Sequence, residues 1–318
     1  MHKQSIYIPL TVLKWDKLLT RTVEDLFLKS SGEYNINIHV SVVGNDKDYN
    51  KIVNDLSGLN VKITYTPLTI FTIGVGKNRK YAMSQYQNED YVLQMDPHSI
   101  MDYNWDKYFV NTLSNAILLT NNNKTIITSY ASRLEFLNGI LGEPKTEFNP
   151  LYATFKFDKN LFGNNPDAPT WDNYTLNQEQ MKKFGNDFAP SPKFNANCSF
   201  GNKEFAKNTG LYEDSIFWEE EITQSINLFD AGFCLVFPLN YLPINHYYDG
   251  EGSRAGISEI LYEGMSSDSS KYSWNKYIND PLNYNKINKY FNYLKINLTN
   301  KIIENSMPTT YLNIKEKI

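Results

Sequence analysis

An apolar run, Tyr91-Val-Leu-Gln-Met95, stops abruptly at an acid, Asp96, and an imidazole, His98, follows two positions later. Side chains of an extended chain alternate, so Asp96 and His98 fall on one side of it. The intervening Pro97 favours that extension. A carboxylate and an imidazole at a strand tip can hold a divalent cation, and the cation can hold a diphosphate. Taken alone, an Asp-x-His triplet more often caps a turn beside a surface histidine. The weight comes from the rest of the chain, which has only four histidines: His2, His39, His98 and His246. His246, in Pro243-Ile-Asn-His246-Tyr-Tyr, also follows a strand and a turn, and is the candidate third ligand.

Two further groups bear on an anionic, polyhydroxylated substrate. Gly74-Val-Gly-Lys-Asn-Arg79 opens a helix. Glycines there let backbone amides approach an anion, a helix N-terminus favours one, and Arg79 adds a charged fork. Trp218-Glu219-Glu220-Glu221-Ile222 sets three carboxylates at the start of an apolar-periodic helix. The ordinary reading is complementarity to the helix dipole. The functional reading has one of them facing sugar hydroxyls.

These residues need a scaffold. Ser5 to Leu13 is β-branched and apolar and predicts a first buried strand. Lys17 to Ser30 has helical spacing and ends before Gly32. Ile36 to Val43 alternates as a second strand, Asp48 to Leu56 is a short helix, and Val61 to Tyr65 a third strand. A helix to about Gln87, a strand over Tyr91 to Met95, a helix over Trp105 to Thr120 and a strand over Thr125 to Tyr130 follow. This alternation predicts an α/β fold with a mostly parallel sheet and helices on both faces. The proline-containing stretch from Asn149 to Pro192 marks a boundary between a donor half and an acceptor half. Beyond it lie a short apolar segment over Ala196 to Phe200, a helix over Ser215 to Asp230, a strand over Phe233 to Phe237, a glycine-containing loop over Gly250 to Gly256, and polar helix from Ser270.

Composition narrows the class. With 318 residues, 41% hydrophobic and 21% charged, the chain can bury one large core or a core plus a smaller lobe. A net charge of -4 does not advertise a nucleic-acid surface over the whole chain. A local Lys/Tyr-rich stretch does occur, with Tyr284, Lys286, Lys289, Tyr290, Tyr293 and Lys295, and its ordinary reading is a solvated amphipathic helix. Cys198 and Cys234 cannot build a disulfide framework or a cysteine zinc site and read as core thiols suited to a reducing cytosol. The run from Ile6 to Leu13 is too short for a signal h-region, and no stretch approaches a membrane span.

In order along the chain, these motifs resemble the cytoplasmic hydroxyproline N-acetylglucosaminyltransferase family. The family's Tyr-Arg-Asp element, with a following Leu and Thr, is similar to Lys14-Trp15-Asp16, Leu19 and Thr22. Its Gly-Pro-x-x-Ala-Arg loop resembles Gly74-Val-Gly-Lys-Asn78-Arg79. Its Gln-x-Asp-Ser-His and Trp-Asp resemble Gln94-Met-Asp96-Pro-His98 and Trp105-Asp106. Its Gly-Glu-Glu-Ile and later Gly resemble Glu219 to Ile222 and Gly232, and its late His before an aromatic resembles His246-Tyr247. Trp15, Asn78 and Asn227 depart from the pattern, at positions where the family has Arg, Ala and Arg.

The resemblance implies a type-A glycosyltransferase fold with a Rossmann-like central sheet. Residues 1–250 would be the catalytic domain, with 1–148 the nucleotide-binding half and 149–250 the acceptor half, and 251–318 a C-terminal loop and helical extension. It implies a cytoplasmic enzyme with no membrane partner, performing metal-dependent retaining transfer of GlcNAc or glucose from a UDP-sugar to a hydroxyl of a protein or glycan. Asp96, His98 and His246 would hold Mn2+ or Mg2+. Asp16, Gly74, Arg79 and Gln94 would bind the donor nucleotide. Glu220 and Glu221 would orient the sugar or acceptor. Two alternatives stand beside this: transfer to hydroxylated bases in DNA, and a nucleotide-sugar-binding protein without transfer activity.

Overall fold

The computed structural model describes residues 3–13, 16, 18–69, 72, 74–137, 140–141, 151–156, 170–175, 182, 187–208, 215, 219–248, 274–297 and 302–303. For 132–137, 140–141, 151–156, 170–175, 246–248, 297 and 302–303 it describes the backbone alone. The first half alternates strand and helix: β1 (Ser5–Val12), α1 (Leu19–Leu28), β2 (Asn35–Gly44), α2 (Asp46–Asp55), β3 (Val61–Pro67), α3 (Val75–Ser84), β4 (Tyr91–Met95), β5 (Ser99–Met101), α4 (Trp105–Thr120) and β6 (Thr125–Thr128). Then come β7 (Ser132–Leu137), β8 (Ile140–Leu141), β9 (Leu151–Lys156), β10 (Thr170–Thr175), β11 (Phe188–Pro190), β12 (Cys198–Asn202), α5 (Lys203–Lys207), α6 (Glu219–Asp230), β13 (Cys234–Pro238) and β14 (Ile244–Tyr248). The chain continues with α7 (Pro281–Tyr293), β15 (Ile296–Asn297) and β16 (Ile302–Ile303), and residues 274–279 are also helical.

The central sheet runs β11-β13-β6-β12-β4-β1-β2-β3. Pairs β1–β2, β2–β3, β1–β4 and β6–β13 are parallel. Strand β12 enters between β4 and β6 antiparallel to both, with Cys198 opposite Met95, and β11 is antiparallel to β13. The strand alternation divides two cores. Ile6, Ile8 and Leu10 of β1, with Leu93 and Ile127, pack under Val23 and Leu26 of α1 and Trp105, Phe109 and Leu113 of α4. Tyr7, Val92 and Ile126 turn to the other face, against Met83 of α3, Phe205 of α5 and Leu228 of α6. Helices therefore cover both faces, and period-two strands between two apolar layers read as the nearly continuous apolar runs seen in the sequence.

A smaller sheet, β5-β14-β7-β8, stands at the carboxyl ends of β4 and β6. Strand β9 pairs with β10, and β15 with β16, in two separate antiparallel ribbons. The C-terminal helices pack on α6: Ile222, Ile226 and Phe229 meet Trp274, Tyr277, Ile287, Tyr290 and Phe291. Asp280 caps α7 by accepting from the Leu282 amide, and Pro281 fits the first helical position. Of the Lys/Tyr residues read from sequence as a solvated face, Tyr290 is buried and donates to the Pro192 carbonyl, and Lys286 Nζ lies 2.6 Å from Asn227 Oδ1. Asn227, where the resembling family carries Arg, thus docks this extension, and Tyr277 OH also donates to it at 3.0 Å.

The helix expected from Ser215 is described from Glu219, with Ser215 itself not helical, and the antiparallel sense of β12 was not legible from its apolar run. The expected boundaries at 148/149 and 250/251, the Gly250 to Gly256 loop and Trp15 lie outside the described residues. Cys198 and Cys234 are buried, and burial pushes the Cys234 thiol up to about 12. Among the described residues, no helix is long and apolar enough to cross a membrane.

Candidate active site

Strand β4 ends at Met95, and Asp96 begins the turn to β5. The turn is fixed from both sides. The Asp96 amide donates to the Asn197 carbonyl at 3.3 Å, just before β12. Ser99 Oγ donates to the Asp96 carbonyl at 3.0 Å, and Thr22 Oγ1 both accepts from the Ser99 amide and donates to its carbonyl. His98, carried on this turn, is buried, with Nδ1 3.0 Å from Asp16 Oδ2 and Nε2 4.0 Å from Asp96 Oδ2. The other Asp16 oxygen accepts from the Leu18 amide at 2.8 Å. An ionised carboxylate only accepts, so Nδ1 is the ring nitrogen that donates to Asp16, and Nε2 is the one that faces Asp96.

Asp16 was expected beside the nucleotide. In the structure both of its oxygens serve this chain, one of them orienting His98, a partner 82 positions away.

Arg79 is also committed to carboxylates. Helix α3 begins at Gly74, whose φ of 139° lies where side chains are disfavoured, and the Gly76 amide donates to the Ser215 carbonyl at 3.2 Å. One turn on, the 7%-exposed Arg79 sends Nη1 to Glu220 Oε2 at 2.5 Å and Nη2 to Asp96 Oδ1 at 3.0 Å. The fork joins the start of α3, the tip of β4 and the start of α6. Gln94, also expected at the donor, is buried, and its Nε2 donates to the Ala196 carbonyl at 3.0 Å.

The two acids of α6 differ. Glu220 is buried beside Arg79, and its Oε1 has no hydrogen-bond partner among the described residues. Burial pushes its carboxyl up to about 7 against the opposing pull of Arg79, with Glu221 and Asp96 adding to the rise. Glu221 is fully engaged: Oε1 accepts from the Ala196 amide at 2.8 Å, and Oε2 accepts from Tyr130 OH at 3.0 Å and Lys193 Nζ at 2.6 Å. Lys193 is completely buried, and burial pulls its ammonium down against the support of Glu221. Neither Lys193 nor Tyr130 was picked out by motif. The available signal was a lone charge in the run from Phe188 to Gly201.

His246 lies in β14, opposite Ser99 of β5 and parallel-paired to Arg133 of β7, with its side chain outside the described set. Paired residues of an antiparallel ladder stand about 5 Å apart at Cα, so the backbone of His246 borders the turn that holds His98. A cation about 2.1 Å from a carboxylate oxygen and an imidazole nitrogen allows those atoms to be roughly 3 to 4.2 Å apart. The 4.0 Å between Asp96 Oδ2 and His98 Nε2 fits. Among the described residues no group of three His, Cys, Asp or Glu side chains is disposed to hold a metal, so a cation held by this pair would need a ligand from elsewhere.

Comparison with solved structures gives a likeness to GalNAc-T7 crystallised with UDP, GalNAc and Mn2+, at 14% identity and a TM-score of 0.56. The match covers 82% of this chain and 48% of that one, so this chain spans about half its length, and the likeness is one of fold. S. aureus TarS 1-349 aligns at 12% identity over 91% of this chain and 72% of that chain, with a TM-score of 0.43. No curated protein matches. The model of a family described as Glycosyltransferase (GlcNAc) matches residues 46–276. That span takes in Arg79, the tip of β4, both acids of α6 and β14, and by it the chain belongs to the Glycosyltransferase (GlcNAc) family.

Proposed function

We propose that this chain transfers a sugar, GlcNAc or glucose, from a UDP-sugar to a hydroxyl of a protein or glycan, with retention and with a divalent cation. The observation that carries the reading is the Asp16–His98–Asp96 cluster at the tip of β4, with Arg79 and Glu220 beside it. Asp96, His98 and His246 would hold Mn2+ or Mg2+, which supplies positive charge against the leaving diphosphate. Asp16 keeps the His98 ring turned. Arg79 holds Asp96 and Glu220 in register. The start of α3, apart from the Gly76 amide held by the Ser215 carbonyl, would turn its backbone amides to the diphosphate. The Oε1 of Glu220, without a partner among the described residues, is suited to accept from a sugar hydroxyl, because an unmet buried oxygen costs about 1–3 kcal/mol until something donates to it.

In such a transfer the bond from the anomeric carbon to the phosphate oxygen breaks, and a bond from that carbon to the acceptor oxygen forms on the same face. The acceptor proton passes to the departing phosphate oxygen. No separate base is then needed, in keeping with the commitment of every described site carboxylate to Arg, Lys, His or an amide.

The GalNAc-T7 complex, bound to UDP and Mn2+, supports the choice of donor and cation class by fold likeness. The test is a screen of nucleotide sugars for metal-dependent UDP release, followed by calorimetry on Asp96→Ala. The variant is expected to lose both UDP release and metal-dependent UDP binding. Unchanged binding would remove the cation site. His246→Ala is expected to weaken metal affinity with little change in thermal stability, and a large stability loss would instead mark a core histidine. For transfer to DNA, Lys286 and Tyr290 bring no support, since Lys286 is bonded to Asn227 of α6 and Tyr290 is buried and bonded to the Pro192 carbonyl.

A further inference from the structure

We infer that Lys193 is a positioning residue for this transfer, acting through Glu221 on the segment that frames Asp96. The inference rests on the transferase reading of the site. Lys193 Nζ, Tyr130 OH and Glu221 Oε2 form a closed triangle of 2.6, 2.7 and 3.0 Å, and the ammonium also lies over the Tyr130 ring at 4.8 Å from its centroid. The second oxygen of Glu221 holds the Ala196 amide. The Ala196 carbonyl takes Gln94, and the next carbonyl, of Asn197, takes the amide of Asp96. A path of direct contacts therefore runs from a buried lysine to the backbone of the candidate cation ligand. The base of Lys193 is fixed as well: Ser191 Oγ donates to its carbonyl at 2.7 Å, and Tyr290 OH donates to the Pro192 carbonyl.

Chemistry argues that this lysine is more than filler. Burying an ammonium costs several kcal/mol, and an apolar side chain of similar volume would fill the space without that cost. The charge fixes a carboxylate whose other oxygen holds a backbone amide. With the ammonium gone, Glu221 would be a buried anion short of a partner, free to turn toward solvent and release Ala196. The ion pair with Glu221 is the contact through which Lys193 reaches the Ala196 amide, so the kinetic cycle pairs it with Glu221.

The experiment combines an activity-free readout with a kinetic cycle. Hydrogen exchange of the peptide spanning 193–197, measured on the whole chain without substrate, is expected to be about 10-fold faster or more in Lys193→Met. Unchanged exchange overturns the inference. In steady state, Lys193→Met is expected to lower kcat about 10-fold with donor KM held within about 3-fold, and to add nothing in a Glu221→Gln background. Losses that multiply in the double variant overturn it. If Lys193→Met shows no cooperative thermal transition, Tyr130→Phe replaces it, because it keeps the ammonium–carboxylate contact. A loss of about 3-fold in kcat that vanishes with Glu221→Gln supports the inference, and one that persists sinks it. If the wild-type chain turns over no nucleotide sugar, the transferase reading falls, and the exchange rate alone decides whether Lys193 holds Ala196.

Discussion

At the residue scale, the site is a set of carboxylates whose partners are specified. His98 can present a lone pair only while Asp16 holds its Nδ1 proton, so Asp16→Ala is expected to weaken Mn2+ binding about 10- to 100-fold in a calorimetric titration. Equal affinity would mean that the ring is held another way. Arg79→Lys keeps the charge but loses the fork that reaches Glu220 and Asp96 together. One of those acids then stays buried against its charge, and kcat/KM is expected to fall about 10-fold or more, in line with the roughly 1.5–3 kcal/mol of a charged hydrogen bond. The strand-tip acid and its imidazole were legible because period two and an abrupt apolar-to-acid change are local signals. Asp16, as the partner of His98, and Lys193 were not. The first serves a residue 82 positions away, and a fully buried lysine contradicts the ordinary burial preference of its type.

At the scale of elements, α6 carries the site acids at its start and the docking surface for the C-terminal helices along its length. Phe291 belongs to that docking cluster and is buried. Phe291→Ala is expected to cost about 3–5 kcal/mol in urea unfolding and to weaken UDP binding as α6 loosens. Loss of stability with intact UDP affinity would separate the two ends of the helix. The amphipathic character of the C-terminal segment was visible in its spacing, but its partner was not. Asn227 reads as a plain polar substitution until Lys286 and Tyr277 are seen bonded to it. In the same way, the apolar run of β12 was clear, whereas its direction and its place between β4 and β6 depend on pairing with strands far earlier in the chain, which no local pattern encodes.

At the scale of the molecule, two buried groups respond to acid in opposite senses. His39, held between Tyr7 OH and Thr64 Oγ1, is kept neutral mainly by burial and next by Lys62, which lower it from 6.5 to about 4. The unfolded chain takes up that proton first, so the contribution of His39 is intact above pH 6.5 and is lost as pH falls toward 4, by about 2 kcal/mol at pH 5. Glu220, raised to about 7, does the reverse: its contribution is full below its ordinary value of 4.5 and is lost as pH rises through 7. In metal-free protein the two slopes offset. Glu220→Gln is expected to make urea midpoints fall more steeply between pH 7 and 5, and His39→Gln to make them fall less. Identical slopes in all three proteins would assign the buffering to other groups.

The insertion of β12 between β4 and β6 has a consequence for synthesis. While the nascent chain has emerged only as far as β7, β4 presents one bare hydrogen-bonding edge and β6 two, because their mates β12 and β13 are not yet translated. At roughly 5–20 residues per second, that exposure lasts several seconds on the ribosome, long enough to recruit a holdase chaperone. A polypeptide halted after residue 137 is expected to pellet on expression and to be recovered by supplying the remainder in trans, because β12 joins β4 to β6 and β13 covers the other edge of β6.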